Sequence, residues 1–370
     1  MIRVLHSVSN MDRAGIETML MNYYRHMDRT KVQFDFLCNK TKPGAYDNEI
    51  NAMGGRIYHT PGLNPAKYPV YLKYMKKLFQ EHPEYQIIEA HNGALGVYAL
   101  HAAKLNGIPN RIFHAHGASI TKDWKLPIKL VCKALLPSNM NVNYSCGIAA
   151  AKCYFGEKVV NEGNYTLIPN AIEVERFVFN QETRNKIRKE NGLENKHVIG
   201  HVGRFMAQKN HSFLLDVFAE LVSKDVDTYL VLLGDGELMD QMKEKAKKLG
   251  IDDKVLFVGN VGNANEWYQA FDCFALPSVW EGLPVVGVEA QAADLPCIFS
   301  TNVTREIGFS EDAKFVSTED KSGWVNALEL ALTKKERVDR SELIAEKHYD
   351  INVEAINLQN KYVELVGGRS

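Results

Sequence analysis

Short apolar runs alternate with amphipathic stretches along the chain, and the alternation runs twice over its 370 residues. Continuous apolar runs separated by helical stretches are typical of parallel strands in a sheet that is covered on both faces. Two such series predict an α/β protein with two doubly wound, Rossmann-like domains. The predicted strands are 3–9, 32–38, 86–91, 110–116 and 140–145 in the first series, and 197–202, 228–233, 254–258, 273–277 and 296–300 in the second.

The two series meet near residue 170, where a strand ends and a polar segment follows. We therefore predict one domain over residues 1–170 and another over residues 171–350. Open parallel sheets bind ligands beyond the carboxyl ends of their strands, so site residues are expected directly after strands. The last part of the chain is predicted to be helical over 320–333, 336–347 and 351–365.

Charge is distributed unevenly along the chain. The net charge is −1, but residues 1–170 carry +8 and the remainder −9. The near-neutral whole gives no reason to expect a nucleic-acid partner, whereas the basic first half suggests an anionic partner or surface for that half. Six scattered cysteines without Cys-x-x-Cys spacing are typical of a reducing compartment. The first residues run directly into a strand pattern and no apolar run reaches the ~18 residues of a membrane span, so a cytoplasmic location is expected.

Candidate ligand-binding residues follow the predicted strands of the second domain. In segment 203–211 a glycine allows a tight turn, Arg204 offers a planar fork of donors, and Lys209 places a point charge near a helix start. This combination suits a diphosphate, although exposed arginine and lysine are also ordinary in loops. The glycine-rich turn at residues 234–236 is common in doubly wound folds, and it supports the fold more than a ligand.

A further segment, residues 277–290, follows a buried strand and contains two glutamates. Gly282 and Pro284 form a turn, and the free backbone N–H groups of the helix that follows point back towards the ligand edge. Glu289 lies in an otherwise apolar helix, where a carboxylate is costly without a partner. Vicinal ribose hydroxyls would be such a partner. An ion pair with a nearby arginine is the alternative.

These motifs occur in a fixed order along nearly the whole chain. They are Gly203-Arg204 with Lys209, Gly234-Asp235-Gly236, the pair Glu281 and Glu289, and Leu295-Pro296-Cys297 in the second half, with Gly15, His116-Gly117 and the linker 166–177 in the first. Together they resemble the family 4 retaining glycosyltransferases of the GT-B fold, in which two Rossmann-like domains face each other across a cleft. The likeness is greatest to enzymes that assemble bacterial capsule, exopolysaccharide or O-antigen. Ala14, Ala171 and Asp294 stand where glycine is usual.

The resemblance implies transfer of a hexose or N-acetylhexosamine from a nucleotide sugar to a growing, lipid-linked polysaccharide, with retention of configuration. The first domain would bind the acceptor and the second the donor, and helix 351–365 would cross back to the first. UDP is the expected nucleotide, with GDP as the alternative. No cofactor or metal ion is expected, because fixed cations would neutralise the leaving diphosphate.

Roles for individual residues also follow from the resemblance. Arg204 and Lys209 match the diphosphate-binding pair, and Glu281 matches a glutamate near the donor sugar. His116 matches a histidine beside the transferred sugar, although a structural role is the alternative because His91 and His114 also lie at strand ends. Glu289 is expected on the ribose and Gly15 against the diphosphate. The expected donor-binding residues are Gly15, Gly203, Gly234, Gly282, Leu283, Pro284, Val285 and Glu289.

Two basic stretches, residues 67–79 and 122–136, mix lysine with aromatic or aliphatic residues at near-helical spacing. They predict either ordinary helices packed on the sheet or peripheral contact with an anionic membrane, and the +8 charge favours the latter. The Asp-Val-Asp sequence at 225–227 imitates a metal-binding motif, but we interpret it as a solvated loop.

Three other functions fit the sequence less well. A GT-B nucleotide-sugar 2-epimerase would leave the arginine–lysine and glutamate pairs unexplained. A non-catalytic nucleotide-sugar-binding subunit would not require all four of these charged residues. A Rossmann dehydrogenase is disfavoured because the first strand–helix turn, residues 7–12, lacks the G-x-G-x-x-G sequence.

Overall fold

The computed structural model describes residues 1–117, 119–120, 123–223, 227–334 and 336–367. The chain divides into two compact units. The first contains Met1–Ala171 and the C-terminal helix that begins at Ile351, and the second is Ile172–Asp350. Most of the motif at 225–227 lies outside the described residues.

The first unit is built on a parallel sheet. Its strands are β1 (Ile2–Val8), β2 (Val32–Cys38), β3 (Ile57–His59), β4 (Ile87–Ala90), β5 (Asn110–Ala115), β6 (Val142–Ser145) and β7 (Thr166–Leu167). They lie in the order β3-β2-β1-β4-β5-β6-β7. Val4 in the middle of the sheet pairs with Phe34 on one side and Ile87 on the other. Every residue of β2 and β4 is buried, as expected when helices cover both faces.

Helices connect these strands in the way that parallel pairing requires. They are α1 (Gly15–His26), α2 (Asp47–Ala52), α3 (Tyr68–Glu81), α4 (Val97–Leu105), α5 (Leu126–Leu135), α6 (Ile148–Phe155) and α7 (Glu157–Asn161). α1, α3 and α5 are amphipathic. α3, for example, buries Tyr71, Met75 and Leu78 and exposes its lysines.

The second unit repeats this plan. Its strands are β8 (His197–Val202), β9 (Thr228–Leu233), β10 (Val255–Gly259), β11 (Cys273–Leu276), β12 (Cys297–Ser300) and β13 (Ala313–Val316), in the parallel order β10-β9-β8-β11-β12-β13. Its helices are α8 (Gln181–Glu190), α9 (His211–Val222), α10 (Met239–Leu249), α11 (Ala264–Ala270), α12 (Val285–Ala292), α13 (Lys321–Ala331) and α14 (Ser341–Glu346).

The final helix, α15 (Ile351–Gly367), returns to the first unit. Its residues Ile351, Leu358 and Tyr362 pack into the core beneath β1 and β2. The Tyr362 hydroxyl donates a hydrogen bond to the buried Glu89 carboxylate on β4, with an O–O distance of 2.5 Å. A segment from the end of the chain thus completes the core of its beginning.

The prediction of two Rossmann-like parallel sheets is confirmed. The edge strands β3 and β13 and the short helices α2, α7, α8 and α11 were not predicted. β3 and β13 are three and four residues long and have no fully buried residue, so they give little apolar signal.

The predicted helix 336–347 is wrong at its start, because α14 begins at Ser341. Tertiary hydrogen bonds hold the preceding residues outside the helix. The Val338 N–H donates to Asp294 over 2.7 Å, and the Arg337 guanidinium donates to the Ala293 carbonyl. These bonds replace the helical ones that the local pattern favoured.

Candidate functional site

Two loops of the second unit contact each other at the carboxyl edge of its sheet. One follows β8 and the other follows β11, and these strands are neighbours. The Val279 N–H donates to the Gln208 carbonyl over 2.8 Å, and the Gln208 side chain donates to the Trp280 carbonyl over 2.9 Å. The predicted residues Lys209 and Glu281 are therefore brought together, although 71 residues lie between them in the chain.

Lys209 and Glu281 form an ion pair, with 2.6 Å between Nζ and Oε1. Their side chains are 15% and 11% exposed, and the Ser278 hydroxyl donates to the same carboxylate oxygen over 3.1 Å. An ammonium has three N–H donors, and Glu281 occupies one of them. Lys209 thus has further donors for an anion, while Glu281 fixes the position of its charge.

Arg204 lies apart from this ion pair. Its side chain is 72% exposed, and the Glu237 carboxylate is 4.0 Å away, which is beyond hydrogen-bond distance. The structure thus places Arg204 on the same loop as Lys209 but leaves its guanidinium in solvent. Such a side chain can swing onto a ligand at little cost.

Close backbone packing explains two of the predicted glycines. A Cβ on Gly203 would lie 3.0 Å from His201 Nε2 and 3.2 Å from the Lys209 stem. Gly234 has φ of +133°, and a Cβ there would lie 2.1 Å from the Gly203 carbonyl oxygen. A side chain at Gly234 would therefore prevent the β8 and β9 loops from meeting, whereas one at Gly203 would require His201 and Lys209 to shift slightly.

The N-terminus of α12 forms another part of this edge. Gly282, Leu283 and Val285 are partly exposed, Pro284 is buried and precedes the helix, and no side chain caps this end in the described structure. The first N–H groups of the helix are therefore available to an anion.

Glu289 lies one turn further along α12. The Tyr268 hydroxyl donates to its Oε2 over 2.7 Å, so its partner in the structure is a tyrosine, not the arginine considered as the alternative. Burial raises the pKa of Glu289 despite this hydrogen bond. A carboxylate in this setting gains from additional hydroxyl donors.

Two buried histidines beneath the loop after β8 were not singled out in the sequence. His201 Nδ1 donates to the Ala275 carbonyl over 2.8 Å, and its ring meets that of His211 edge to face. Burial lowers the pKa of both, that of His211 to about 4 with a further contribution from Lys209. Both are therefore neutral at pH 7 and add no charge beside Lys209. The sequence signal for this pair is weak, because one histidine lies in a strand and the other at the start of a helix, and histidine is common in both.

In the first unit, the partly exposed His116 follows β5 and belongs to a chain of three histidines, of which His6 and His91 are buried. His116 Nε2 is 2.9 Å from His91 Nδ1, and His91 Nε2 is 3.1 Å from His6 Nδ1. The three residues come from the carboxyl ends of the adjacent strands β1, β4 and β5. Burial lowers the pKa of each, that of His6 to about 4. The sequence offered His91 only as a sign that His116 might be structural, whereas the structure makes it a direct partner of His116.

Glu89 and His114 lie behind this chain. His114 Nδ1 is 2.8 Å from Glu89 Oε1, and burial lowers the pKa of His114 to about 3. Nitrogens of His91, His114 and His116 lie within 4.8 Å of one another, which is the spacing of a metal-ligand set. However, the rings of His114 and His116 stack at 24°, with centroids 4.1 Å apart. Lone pairs of stacked rings run nearly parallel and do not converge on one ion, so the arrangement favours hydrogen bonding.

Gly15 opens α1 at the same edge of the sheet. No atom lies within 4 Å of a Cβ built there, and no side chain of the described residues caps the helix. Packing within the protein therefore does not require glycine at this position. The structure leaves room for a ligand against this backbone.

Comparison with known proteins identifies the family. The model described as "Glycosyl transferases group 1" matches residues 183–348, and the model "Glycosyltransferase Family 4" matches residues 13–176. The putative glycosyltransferase EpsF of Bacillus subtilis is 35% identical over 368 residues, which cover 97% of this chain and 96% of that protein. A UDP-Gal:α-D-GlcNAc-diphosphoundecaprenol α-1,3-galactosyltransferase of Escherichia coli is 25% identical, over 85% of this chain and 84% of its own.

Solved structures share the fold over the whole chain. Anabaena HepE in complex with UDP-glucose matches with a TM-score of 0.75, 16% identity and complete coverage of both chains. A sucrose-phosphate synthase of Thermosynechococcus elongatus matches with a TM-score of 0.77, also at 16% identity and with complete coverage. The predicted GT-B fold is confirmed. Because its two halves match the two glycosyltransferase models and EpsF is related to it along nearly its whole length, the chain belongs to glycosyltransferase family 4.

Proposed function

We propose that the protein transfers a hexose or N-acetylhexosamine from a UDP-sugar to a growing, lipid-linked surface polysaccharide, with retention of anomeric configuration. The observation that carries the proposal is the mostly buried Lys209–Glu281 pair, held at the carboxyl edge of the second sheet between two post-strand loops. A lysine fixed in this way is suited to a leaving diphosphate.

The leaving diphosphate would be stabilised by three groups from this edge. Lys209 supplies a positioned ammonium, the exposed Arg204 swings in as a bidentate donor, and the uncapped N-terminus of α12 supplies backbone N–H groups. Together they balance the charge that grows as the glycosidic bond breaks, so the proposal needs no metal ion. The acceptor hydroxyl would then attack from the face of departure and pass its proton to a phosphate oxygen.

The remaining polar residues would orient the donor. Glu281 accepts hydrogen bonds from the sugar hydroxyls, and Glu289 accepts from the ribose diol alongside Tyr268. For His116 we propose a contact with the transferred sugar. Its position is secured by His91, which lies 2.9 Å from its Nε2.

Donor and acceptor classes are supported by the relatives. HepE was crystallised with UDP and with UDP-glucose, and the Escherichia coli relative is named for a UDP-galactose donor and a diphosphoundecaprenol acceptor. A CapH protein of Staphylococcus aureus, 23% identical over 98% of this chain, is named for capsular polysaccharide biosynthesis. GDP is the competing nucleotide.

A panel of UDP- and GDP-sugars in a thermal-shift assay, with and without EDTA, tests the donor. A ligand present at ~100 times its Kd adds about 2.7 kcal/mol of stability, which is a clear shift. We expect a UDP-sugar to stabilise the protein equally with EDTA. Loss of the shift in EDTA would refute metal independence. A larger shift with GDP-sugars would refute UDP as the nucleotide of the donor.

Incubation with the selected UDP-sugar separates transfer from the alternative 2-epimerase. Without an acceptor, we expect no epimeric sugar. With an acceptor, we expect the anomeric configuration of the product linkage, determined by NMR, to be the same as that of the donor sugar. An inverted linkage would remove the claim of retention. A UDP-sugar epimerised without any acceptor would replace the proposal by the isomerase.

Peripheral contact with an anionic membrane completes the proposal. No described helix is long and apolar enough to cross a bilayer. Of the two basic stretches, residues 67–79 are largely accounted for by packing, since α3 buries Tyr71, Met75 and Leu78. Within residues 122–136, of which 122 is outside the described part, α5 buries only Cys132. Flotation with anionic liposomes at low salt tests the contact, and protein left at the bottom of the gradient would refute it.

A further inference from the structure

A cavity of about 860 Å³ lies in the first unit between α3, α4 and α5. This volume is in the range of ~300–1,000 Å³ that is typical of small-molecule sites. Its walls are mainly apolar and include Val97, Leu105, Pro127, Ile128, Val131 and Leu135. Its lining residues all belong to the first unit and do not include His116.

The cavity is a groove that follows two helices. α4 and α5 come after the adjacent parallel strands β4 and β5, so both start at the carboxyl edge of the sheet and run away from it. Nine and ten residues of helix give walls of ~13–15 Å. At the far end Lys104 Nζ donates to the Ser138 carbonyl over 2.6 Å, which joins the two walls. The near end lies at the edge that carries His116.

One wall of the groove is unusually apolar on its outer surface. On α5, Leu130, Val131 and Leu135 are between 49% and 61% exposed, and Trp124, just before the helix, is 82% exposed. An apolar surface that continues into a groove is typical of a binding site. The occupant should therefore be an apolar molecule that reaches the groove from a larger apolar phase.

Charge around the groove indicates that the occupant also carries an anion. The three helices and their flanks carry eight lysines, at positions 67, 73, 76, 77, 104, 125, 129 and 133, against Glu81 and Asp123. Asp123 pairs with Lys129 over 2.8 Å, which leaves the edge near Lys125 positive. A long apolar chain that ends in a phosphate satisfies both features, whereas a neutral lipid satisfies only one.

We propose that this groove holds the first isoprenoid units of the lipid-linked acceptor, with the phosphate at the Lys125 end. In this orientation the sugar attached to the phosphate is presented at the edge where His116 lies. The inference rests on the proposed function in one respect, which is the lipid-linked acceptor. It goes further because it places the isoprenoid chain of the acceptor in a groove of the protein and not in the bilayer.

Binding of isoprenoid phosphates of increasing length, measured without membranes and below their micelle concentrations, tests the groove. Each buried CH₂ is worth about 0.8 kcal/mol, or roughly a four-fold gain in affinity. We expect affinity to rise from C5 to C15 phosphates and then to level off, because the walls have a fixed length. A C15 alcohol without phosphate and inorganic phosphate alone should each bind at least ~10-fold more weakly than the C15 phosphate. A rise that continues without levelling, or equal binding of the alcohol, would overturn the proposal.

Two matched variants locate the site. Val131→Glu places a carboxylate on the groove wall and should weaken C15 phosphate binding by ~10-fold or more. Val70→Glu changes an equally exposed valine on α3 that does not line the groove, and it should leave binding within ~2-fold. Both substitutions are at exposed positions, so folding should be preserved, and circular dichroism checks this. Equal loss in both variants would show attraction to the basic face without a groove.

Two further measurements keep the alternatives apart. Light scattering at high concentration shows whether the groove instead receives a second copy of the chain, since a dimer that Val131→Glu abolishes would overturn the proposal. Thermal shift with the UDP-sugar tests the proposed donor site independently. If the donor binds but no isoprenoid phosphate does, the groove inference fails alone, and if the phosphate binds but no transfer occurs, the proposed function fails alone.

Discussion

Lys209 and Glu281 each keep a charge in a mostly buried position, and each depends on the other. Lys209→Ala leaves the Glu281 carboxylate without its cation, so we expect a loss of about 1–3 kcal/mol in unfolding free energy. Transfer activity should fall by ~10²–10³, because the leaving diphosphate loses a fixed donor. Urea unfolding and kcat/KM measure the two effects.

Lys245→Ala provides the control for this substitution. Lys245 forms an ion pair of the same length, 2.6 Å to Asp216, elsewhere in the second unit. It should cost some stability without a comparable loss of activity. If the two variants lose activity equally, Lys209 has no special role in transfer.

The buried histidines make stability depend on pH. Burial lowers the pKa of His6 and His211 to about 4 and that of His114 to about 3, while the unfolded value is about 6.5. The unfolded state therefore binds more protons below pH 6.5, and stability is full above that pH and is lost as pH falls towards 4. Each such histidine should contribute up to about 2 kcal/mol of loss between pH 7 and pH 5.

Urea unfolding at pH 7 and pH 5 measures this loss. In His6→Asn the difference in unfolding free energy between pH 7 and pH 5 should be smaller by the contribution of one histidine, which is up to about 2 kcal/mol. His59→Asn is the control, because His59 is only partly buried at the end of β3. An unchanged slope in His6→Asn would contradict the assignment of His6 as a neutral buried group.

Asp294 shows how a single residue departs from a family pattern and remains accommodated. It has φ of +51°, a conformation that explains why glycine is usual at this place. Lys334 and Arg340 bond to its carboxylate over 3.0 and 2.7 Å. Although burial opposes ionisation, the Val338 N–H and these two cations hold the pKa of Asp294 below its usual range.

At the scale of elements, the candidate residues of each unit lie at helix N-termini and in post-strand loops. α1 and α12 both begin at carboxyl edges and have no side-chain hydrogen bond from their N-cap residues, Ala14 and Pro284. Folding does not require glycine at position 15, because a Cβ built there meets nothing within 4 Å. A substitution at Gly15 can therefore test ligand binding without disturbing the fold.

Gly15→Ala should therefore leave the unfolding midpoint unchanged while raising the KM for the donor by ~10-fold or more, because a methyl group occupies the space of the diphosphate. Gly107→Ala is the contrasting variant, since Gly107 is remote from the site and has φ of +76°. It should lower stability and leave the KM alone. An unchanged donor KM in Gly15→Ala would contradict the proposed place of the diphosphate beside Gly15.

Over the whole molecule, each unit has its own sheet and core, but the first is completed by the last helix of the chain. The Tyr362 hydroxyl on α15 donates a hydrogen bond to Glu89. Burial raises the pKa of Glu89, although this hydrogen bond acts to lower it. Tyr362→Phe removes only the hydroxyl, and we expect it to destabilise the first unit by about 1–3 kcal/mol.

Hydrogen exchange with the two units read separately measures this effect. Protection should fall in β1, β4 and β5 and stay unchanged in β8 and β11. Tyr229→Phe is the matched control, because Tyr229 is a partly exposed tyrosine of the second unit. A uniform loss of protection in both units would contradict independent cores.

The sequence by itself determined the two parallel sheets and the position of the candidate residues at their carboxyl edges. Continuous apolar strands bounded by helices can be buried in few other ways, and motifs after strands must then lie at one edge. Tertiary structure alone decided which side chains meet. The pairs Lys209–Glu281, His91–His116 and Tyr268–Glu289 join segments that are 72, 25 and 21 residues apart. No local pattern encodes these distances, because they depend on strand order and on how closely glycine lets two loops approach.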